Sequence, residues 1–305
     1  MTIYILKRLA LALAVALSVS LIAFLLLRLS GDVATAIAGS GAGDVDIQAV
    51  RQQYGLERPL LFQYWDWLVP ALQGDLGKSI YFNAPVSQVI GERIGITLKL
   101  GALSLLFAII VGIPLGVAAG TRPNSKLDRF CQGFALVGQA LPSFWFALLL
   151  MLVFGVYLRL VPISGSSTLA HFILPTICLG YYATPAIMRL TRAGIIEVLG
   201  ADYIRTAYAK GLAPTTVMLK HALRNAIAPV VALAAVQFGF MLGGSIIIET
   251  IFSMHGVGYL AWISISRFDF PVVQGVILFL SMVYIVLVFM TDVINAWFDP
   301  RIRIM

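Results

Sequence analysis

The chain has 305 residues, of which 60% are hydrophobic and only 11% charged, with a mean hydropathy of +0.94. Ordinary soluble domains carry about 25% charged residues, so a water-soluble fold is excluded and a bundle of membrane-spanning helices is expected. The net charge of +7 does not argue for a nucleic-acid partner, because membrane proteins concentrate Lys and Arg in cytoplasmic loops for topological reasons. Two cysteines, Cys131 and Cys178, give neither a disulfide framework nor metal-site spacing.

The first apolar run covers residues 9–29 and follows Lys7 and Arg8. A cleavable leader is the alternative, with Ala34-Thr35-Ala36 as a loose cleavage site. The run exceeds the usual leader core of about 7–15 residues, which favours an uncleaved helix. A polar stretch over 31–97 contains no apolar segment long enough to span and reads as extramembrane with short helices. Five further spans are expected at 98–119, 133–158, 172–190, 228–249 and 272–294, six in all.

Six spans place both termini on one side. Lys7, Arg8, Arg122, Lys126, Arg129, Arg189, Arg192, Arg205, Lys210, Lys220, Arg224, Arg301 and Arg303 fall there, thirteen of the 21 basic residues. The long 31–97 segment counts weakly in this rule, and without it the bias becomes decisive. Both termini are expected in the cytoplasm.

The longest cytoplasmic loop then runs over 191–227, and a loop of that size in a compact bundle is usually functional. Ile204, Ala207, Tyr208 and Gly211 recur at helical spacing and form one face. Gly211 suits a helix C-terminus and Pro214 the first turn of the next helix. That second helix would reach about Ala226, with Leu219, Leu223 and Ala226 on one side and Lys220 and Arg224 on another. By periodicity alone, an interfacial loop and a partner-docking hairpin fit equally.

The stretch Arg205-Thr206-Ala207-Tyr208-Ala209-Lys210-Gly211, followed by His221-Ala222-Leu223-Arg224-Asn225-Ala226, resembles the cytoplasmic signature loop of bacterial ABC import permeases. The closer resemblance is to the dipeptide/oligopeptide/nickel branch, and within it to the first permease of each pair. Pro142-Ser143-Phe144-Trp145, Pro162-Ile163-Ser164-Gly165, Leu190-Thr191-Arg192-Ala193, the stretch from Glu197 to Ile204, Pro271-Val272-Val273-Gln274-Gly275 and the closing Asp299-Pro300-Arg301-Ile302-Arg303 also match in order. So does Tyr54-Gly55-Leu56 with Pro59, Leu60 and Tyr64. The general importer loop opens Glu-Ala-Ala and ends Ile-x-Leu-Pro. Here Arg205 and Thr206 replace its first two residues, and His221 and Arg224 stand at the Ile and Pro positions, as is typical of the peptide branch.

The resemblance implies an all-α, six-helix type I importer permease in the bacterial inner membrane. Residues 1–93 would form the first helix and an extracytoplasmic segment, and 94–305 the permease core. It also implies a second homologous permease, two cytoplasmic ATPase subunits that carry the ATP and Mg, an extracytoplasmic binding protein, surrounding lipid, and no cofactor on this chain. The loop would dock into an ATPase groove through Ile204, Arg205, Thr206, Ala207, Lys210 and Gly211. The cargo would be peptides, with nickel chelates, glutathione and opine-like conjugates as alternatives. Glu249 could meet a peptide ammonium or cap loop amides, and Tyr181 and Tyr182 could line the path or simply pack.

Two motifs are decoys. Gly77-Lys78-Ser79 ends like a phosphate-binding loop, but Leu72 stands where the first Gly belongs and no strand precedes it. Ser164-Gly165-Ser166-Ser167 with His171 and His255 suggests a serine protease, yet it falls in a short external loop where a turn is the simpler role. An ion-coupled transporter would need ionisable groups at mid-membrane. Arg28, Arg189, Glu249 and Asp292 all lie near span ends.

Overall fold

A computed structural model describes residues 2–31, 33–38, 41, 43–53 and 55–298. Tyr54 and the closing motif over 299–303 lie outside the described residues, and with them the C-terminal part of the charge argument.

The regular elements among the described residues are helices, beside one isolated β-bridge between Lys78 and Pro85. α1 (Thr2–Ser30) is followed by α2 (Val33–Ala38), α3 (Asp44–Gln53) and α4 (Leu60–Leu72). Next come α5 (Val86–Thr121), α6 (Lys126–Ala140), α7 (Ser143–Leu150), α8 (Ile173–Leu199) and α9 (Asp202–Ala209). The order ends with α10 (Pro214–Thr216), α11 (Leu223–Ala226), α12 (Ala228–Ile251), α13 (Val257–Ser266) and α14 (Phe270–Phe298). By length and apolarity α1, α5, α12 and α14 can each cross a membrane, and α6 with α7 and its continuation to Tyr157 supplies a fifth, bent path.

That bent path departs from the straight span expected over 133–158. The chain turns by 102° between Ala140 and Ser143. Pro142 has no N–H to donate, and its ring forces the preceding residue out of the helical region. Leu141 accordingly has ψ 128°. α5 also begins at Val86, three turns before the apolar run, and passes unbroken through residues 93 and 94.

α8 is the least apolar of the expected spans and the most enclosed, with thirteen buried residues from Leu174 to Ile195 distributed all round it. A helix largely enclosed by protein need not be as apolar as one facing lipid. It packs on α5 through small residues. A Cβ on Gly112 would come 3.0 Å from Ile187, on Gly116 2.6 Å from the Met188 carbonyl oxygen, and on Gly120 2.8 Å from the Ile195 Cβ. Conversely, a Cβ on Gly180 would lie 2.6 Å from the Ser104 carbonyl oxygen. Small residues four apart let backbones approach as in tightly packed membrane helices. Both numberings rise together along this contact, so α5 and α8 run parallel, and the bent α6–α7 path returns the chain between them.

Around this pair, Leu100, Ala147, Leu150, Leu174, Met241 and Ile248 close the main core, drawn from α5, α7, α8 and α12. α1 lies on α14, where Arg8 pairs with Asp292 at 2.9 Å, and carries α4 through Phe24, Tyr64 and Leu68. α13 was not expected. It is a ten-residue apolar helix, too short to span and bounded by Gly256 and Arg267.

Candidate functional site

The expected loop over 191–227 begins as helix: α8 continues unbroken to Leu199 before the chain turns at Gly200 and Ala201. α9 follows with Asp202 in its first turn, where a carboxylate complements the helix dipole. Its end is a Schellman motif. The Gly211 amide donates to the Tyr208 carbonyl at 2.9 Å and the Leu212 amide to the Ala207 carbonyl at 3.4 Å, with Gly211 at φ +78°. This geometry places a left-handed residue just past the helix, a conformation that glycine adopts without steric cost.

The six expected docking residues divide between two faces. Ile204 and Ala207 are buried in a cluster with Ile195 of α8, Val217, Ala222 and Ala226. Arg205, Thr206, Lys210 and Gly211 face outward, together with Tyr203, Tyr208 and Leu212. The expected grouping of Ile204, Ala207, Tyr208 and Gly211 on one face is therefore split, because Tyr208 and Gly211 point away from the cluster. A Cβ at Gly211 would meet nothing within 4 Å, so its need for glycine is conformational within this chain.

The second helix also differs from expectation. Leu219 is 63% exposed, and the buried positions are Val217, Ala222 and Ala226. The spacing of five between the first two follows from a π-helical turn over Val217–Ala222, which winds more slowly than an α-helix and rotates Leu219 outward. Asn225 Nδ2 donates to the Tyr203 hydroxyl oxygen at 2.7 Å and ties the two arms together.

α8 thus joins α9 rigidly to the bundle, and at 1.5 Å per residue it is about 40 Å long. Near the α9 end it is clamped to α6. Arg192 donates from Nε and Nη2 to the two oxygens of Asp128, each at 2.7 Å, and the Asn124 amide donates to the same carboxylate at 2.8 Å. Asp128 is buried and Arg192 half-buried, so losing the arginine would leave the carboxylate short of its main partner. Arg192 was recognisable within the matched motif, whereas its partner 64 positions away was not.

Further along α8, at the α6–α7 bend, lies a cleft of about 760 Å³ walled by Gln139, Phe144, Tyr182, Gln237, Phe240 and Ile248 among others. None of its described lining residues is charged. Tyr182 faces this cleft and is 59% exposed. Tyr181 points the other way, buried between Phe134 and Phe146, with its hydroxyl donating to the Phe134 carbonyl at 3.1 Å.

Glu249 faces no open space. Its Oε1 accepts from the Thr97 hydroxyl at 2.7 Å and its Oε2 from the Tyr259 amide at 2.9 Å, while the Val257 amide donates to Thr97 Oγ1 at 2.8 Å. The carboxylate is wholly buried. It ties α12 to α5 and to the first turn of α13, and so caps amides there. A Cβ on Gly256 would lie 2.5 Å from both Glu249 Oε2 and Thr97 Oγ1, so a side chain at 256 would displace the carboxylate.

The decoy segments have structural partners. Ser79 and the amides of Ile80 and Tyr81 donate to the buried Asp269 carboxylate just before α14. The Gly165 amide donates to the Phe252 carbonyl, and His171 closes a turn onto Thr168. Among the described residues, no group of three or more His, Cys, Asp or Glu could hold a metal ion.

Comparison with known proteins fits this geometry. Residues 112–304 match the family described as binding-protein-dependent transport system inner membrane component, and residues 1–101 match the N-terminal region described for such components. The chain is 41% identical over 275 residues to the glutathione transport system permease protein GsiC of Salmonella typhimurium strain LT2, covering 90% of each chain. It is 42% identical, at the same coverage, to the protein of that name from Escherichia coli strain K12. Among solved structures, an inward-facing form of the MetNI methionine ABC transporter aligns with a TM-score of 0.60 at 20% identity, covering 70% of this chain and 97% of that one. At that identity it speaks for the fold alone. The chain belongs to the inner membrane components of binding-protein-dependent ABC importers, as a permease subunit and not an enzyme.

Proposed function

We propose that this permease moves peptides inward, with di- and oligopeptides and glutathione as the cargo class. It would do so as half of a pair with a second homologous permease, above two ATPase subunits and beneath a substrate-binding protein. The relatives named for glutathione transport support this class, glutathione being itself a tripeptide. In this reading six helical passes place both termini in the cytoplasm, and the long enclosed α8 is the pass that composition alone under-reports. The first-permease branch is part of the same proposal.

The observation that carries it is α9, held by Ile204 and Ala207 against Ile195 and displaying Arg205, Thr206, Lys210 and Gly211 outward. A short helix anchored on one face and bare on the other is suited to a groove on a partner. Ile204 and Ala207 would pass displacement to α8, while the outward four make the docking contact. ATPase closure would then move α8, one wall of the uncharged cleft, against the other walls; there Tyr182 meets cargo, and Gln139 and Gln237 offer hydrogen bonds to peptide groups. Uncharged walls suit a carrier whose cargoes differ in net charge. Glu249 serves as a positioning residue that keeps α12 and α13 in register with α5.

Reconstitution of the permease pair, ATPases and binding protein in liposomes tests this. ATP-dependent uptake of labelled glutathione or a dipeptide is expected, with Tyr182→Ala lowering it about tenfold. Uptake driven by an ion gradient without ATP, or transport confined to non-peptide cargo, would sink the proposal.

A further inference from the structure

A second cavity, of about 440 Å³, lies between the end of α1, α4, the 76–83 turn and the start of α14. It is at the opposite end of the bundle from α9. A Cβ on Gly31 would lie 3.1 Å from the Phe270 ring, and Val86 at the start of α5 meets Gly275 of α14, whereas the far end of α5 meets Ile195.

Its walls divide by chemistry. Leu27, Trp67 and Phe270 give it an apolar side, while Arg28, Lys78 and Gln274 give it a donor side. Gln274 is 8% exposed and its Nε2 has no hydrogen-bond partner, an arrangement disfavoured unless something fills it. Among the described residues neither Arg28 nor Lys78 is in an ion pair, and no acid lines the cavity. The Arg28 guanidinium lies 5.1 Å over the Phe24 ring, a stacking that leaves its in-plane N–H donors available. Asp269 close by is already occupied by Ser79, Ile80 and Tyr81.

Donors without acceptors call for an anion, and the apolar wall calls for one attached to hydrocarbon. The depth agrees. Arg28 sits at the end of the apolar run Tyr4–Leu29, where the bilayer gives way to water, and Trp67 is the residue type enriched at that boundary. The outward face of α4, with Leu61, Phe62, Trp65 and Leu72 exposed, continues the apolar surface.

We propose that this cavity binds the headgroup phosphate of an anionic phospholipid. Arg28 and Lys78 hold the phosphate, Gln274 donates to a headgroup oxygen, and Leu27, Trp67 and Phe270 pack on the glycerol and upper acyl chain. The site stands independently of the transported cargo.

Native mass spectrometry of the purified full transporter, relipidated with phosphatidylglycerol or phosphatidylcholine, tests it. The wild type should retain phosphatidylglycerol and not phosphatidylcholine. Arg28→Gln with Lys78→Gln should cut that retention about tenfold or more, with Gln274→Leu as a single-site variant and Arg28→Lys restoring part of it. Equal phosphatidylglycerol retention by the wild type and the folded variants would overturn the assignment. So would displacement of the lipid by millimolar inorganic phosphate, which would make the site one for a soluble anion.

Discussion

Replacing Gly211 with Val is expected to abolish ATP-driven uptake while leaving the protein inserted and the ATPase turning over uncoupled. The residue sits at φ +78° and closes the Schellman turn of α9. A residue with a Cβ pays about 1–2 kcal/mol in this region, and a β-branched one more. The strain falls on the turn that fixes how Lys210 and Thr206 are displayed, and not on the anchoring cluster around Ile204. A loss of about 1–3 kcal/mol in a docking equilibrium shifts it roughly 5- to 150-fold, enough to bring transport to background. Gly211→Asn is the control, because Asn enters the left-handed region more easily. Substantial uptake in the Asn variant beside none in the Val variant would mark the effect as conformational. Full uptake in Gly211→Val would remove α9 as the coupling element.

The second large effect concerns folding itself. Gly116→Leu should prevent α5 and α8 from packing and sharply reduce recovery of monodisperse protein. The added Cβ would lie 2.6 Å from the Met188 carbonyl oxygen and 2.6 Å from the Thr191 Cβ. A backbone oxygen cannot swing aside as a side-chain tip can. Ordinary overpacking costs about 1–3 kcal/mol, and the cost here is at the upper end or beyond, since two whole helices must separate. Gly133→Leu serves as the comparison, because a Cβ there meets nothing within 4 Å. Fluorescence-detected gel filtration after a temperature ramp should place Gly133→Leu near wild type and Gly116→Leu far below it. Equal profiles would show that the glycine stripe does not set this contact.

The sequence made the lipid-facing parts of the fold easy to read and the protein-facing parts hard. α1, α12 and α14 announce themselves because lipid demands unbroken apolarity. α8 is the most enclosed helix, so Thr184, Tyr181 and Pro185, all buried against protein, dilute its signal without harming it. The bend at Leu141-Pro142 was written in the proline, yet a sum of apolar residues across 133–158 passes over it.

Between α9 and α10, Gly211 and Pro214 mark the end of one helix and the start of the next by local chemistry, and both stand where their types require. The π-turn over Val217–Ala222 has no such marker, because only packing against Ile195 decides which residues turn inward. Pairings such as Asp128 with Arg192 and Glu249 with Thr97 join residues 64 and 152 positions apart. No local pattern could have announced them.

Cross-linking within the intact transporter tests the central claim most directly. With Lys210→Cys in α9 and single cysteines along the nucleotide-hydrolysing subunit, a short bifunctional reagent should join the two chains. The yield should change when ATP is bound, and Lys78→Cys at the other end of the bundle should give no product. A cross-link from position 78 with none from 210 would contradict the account.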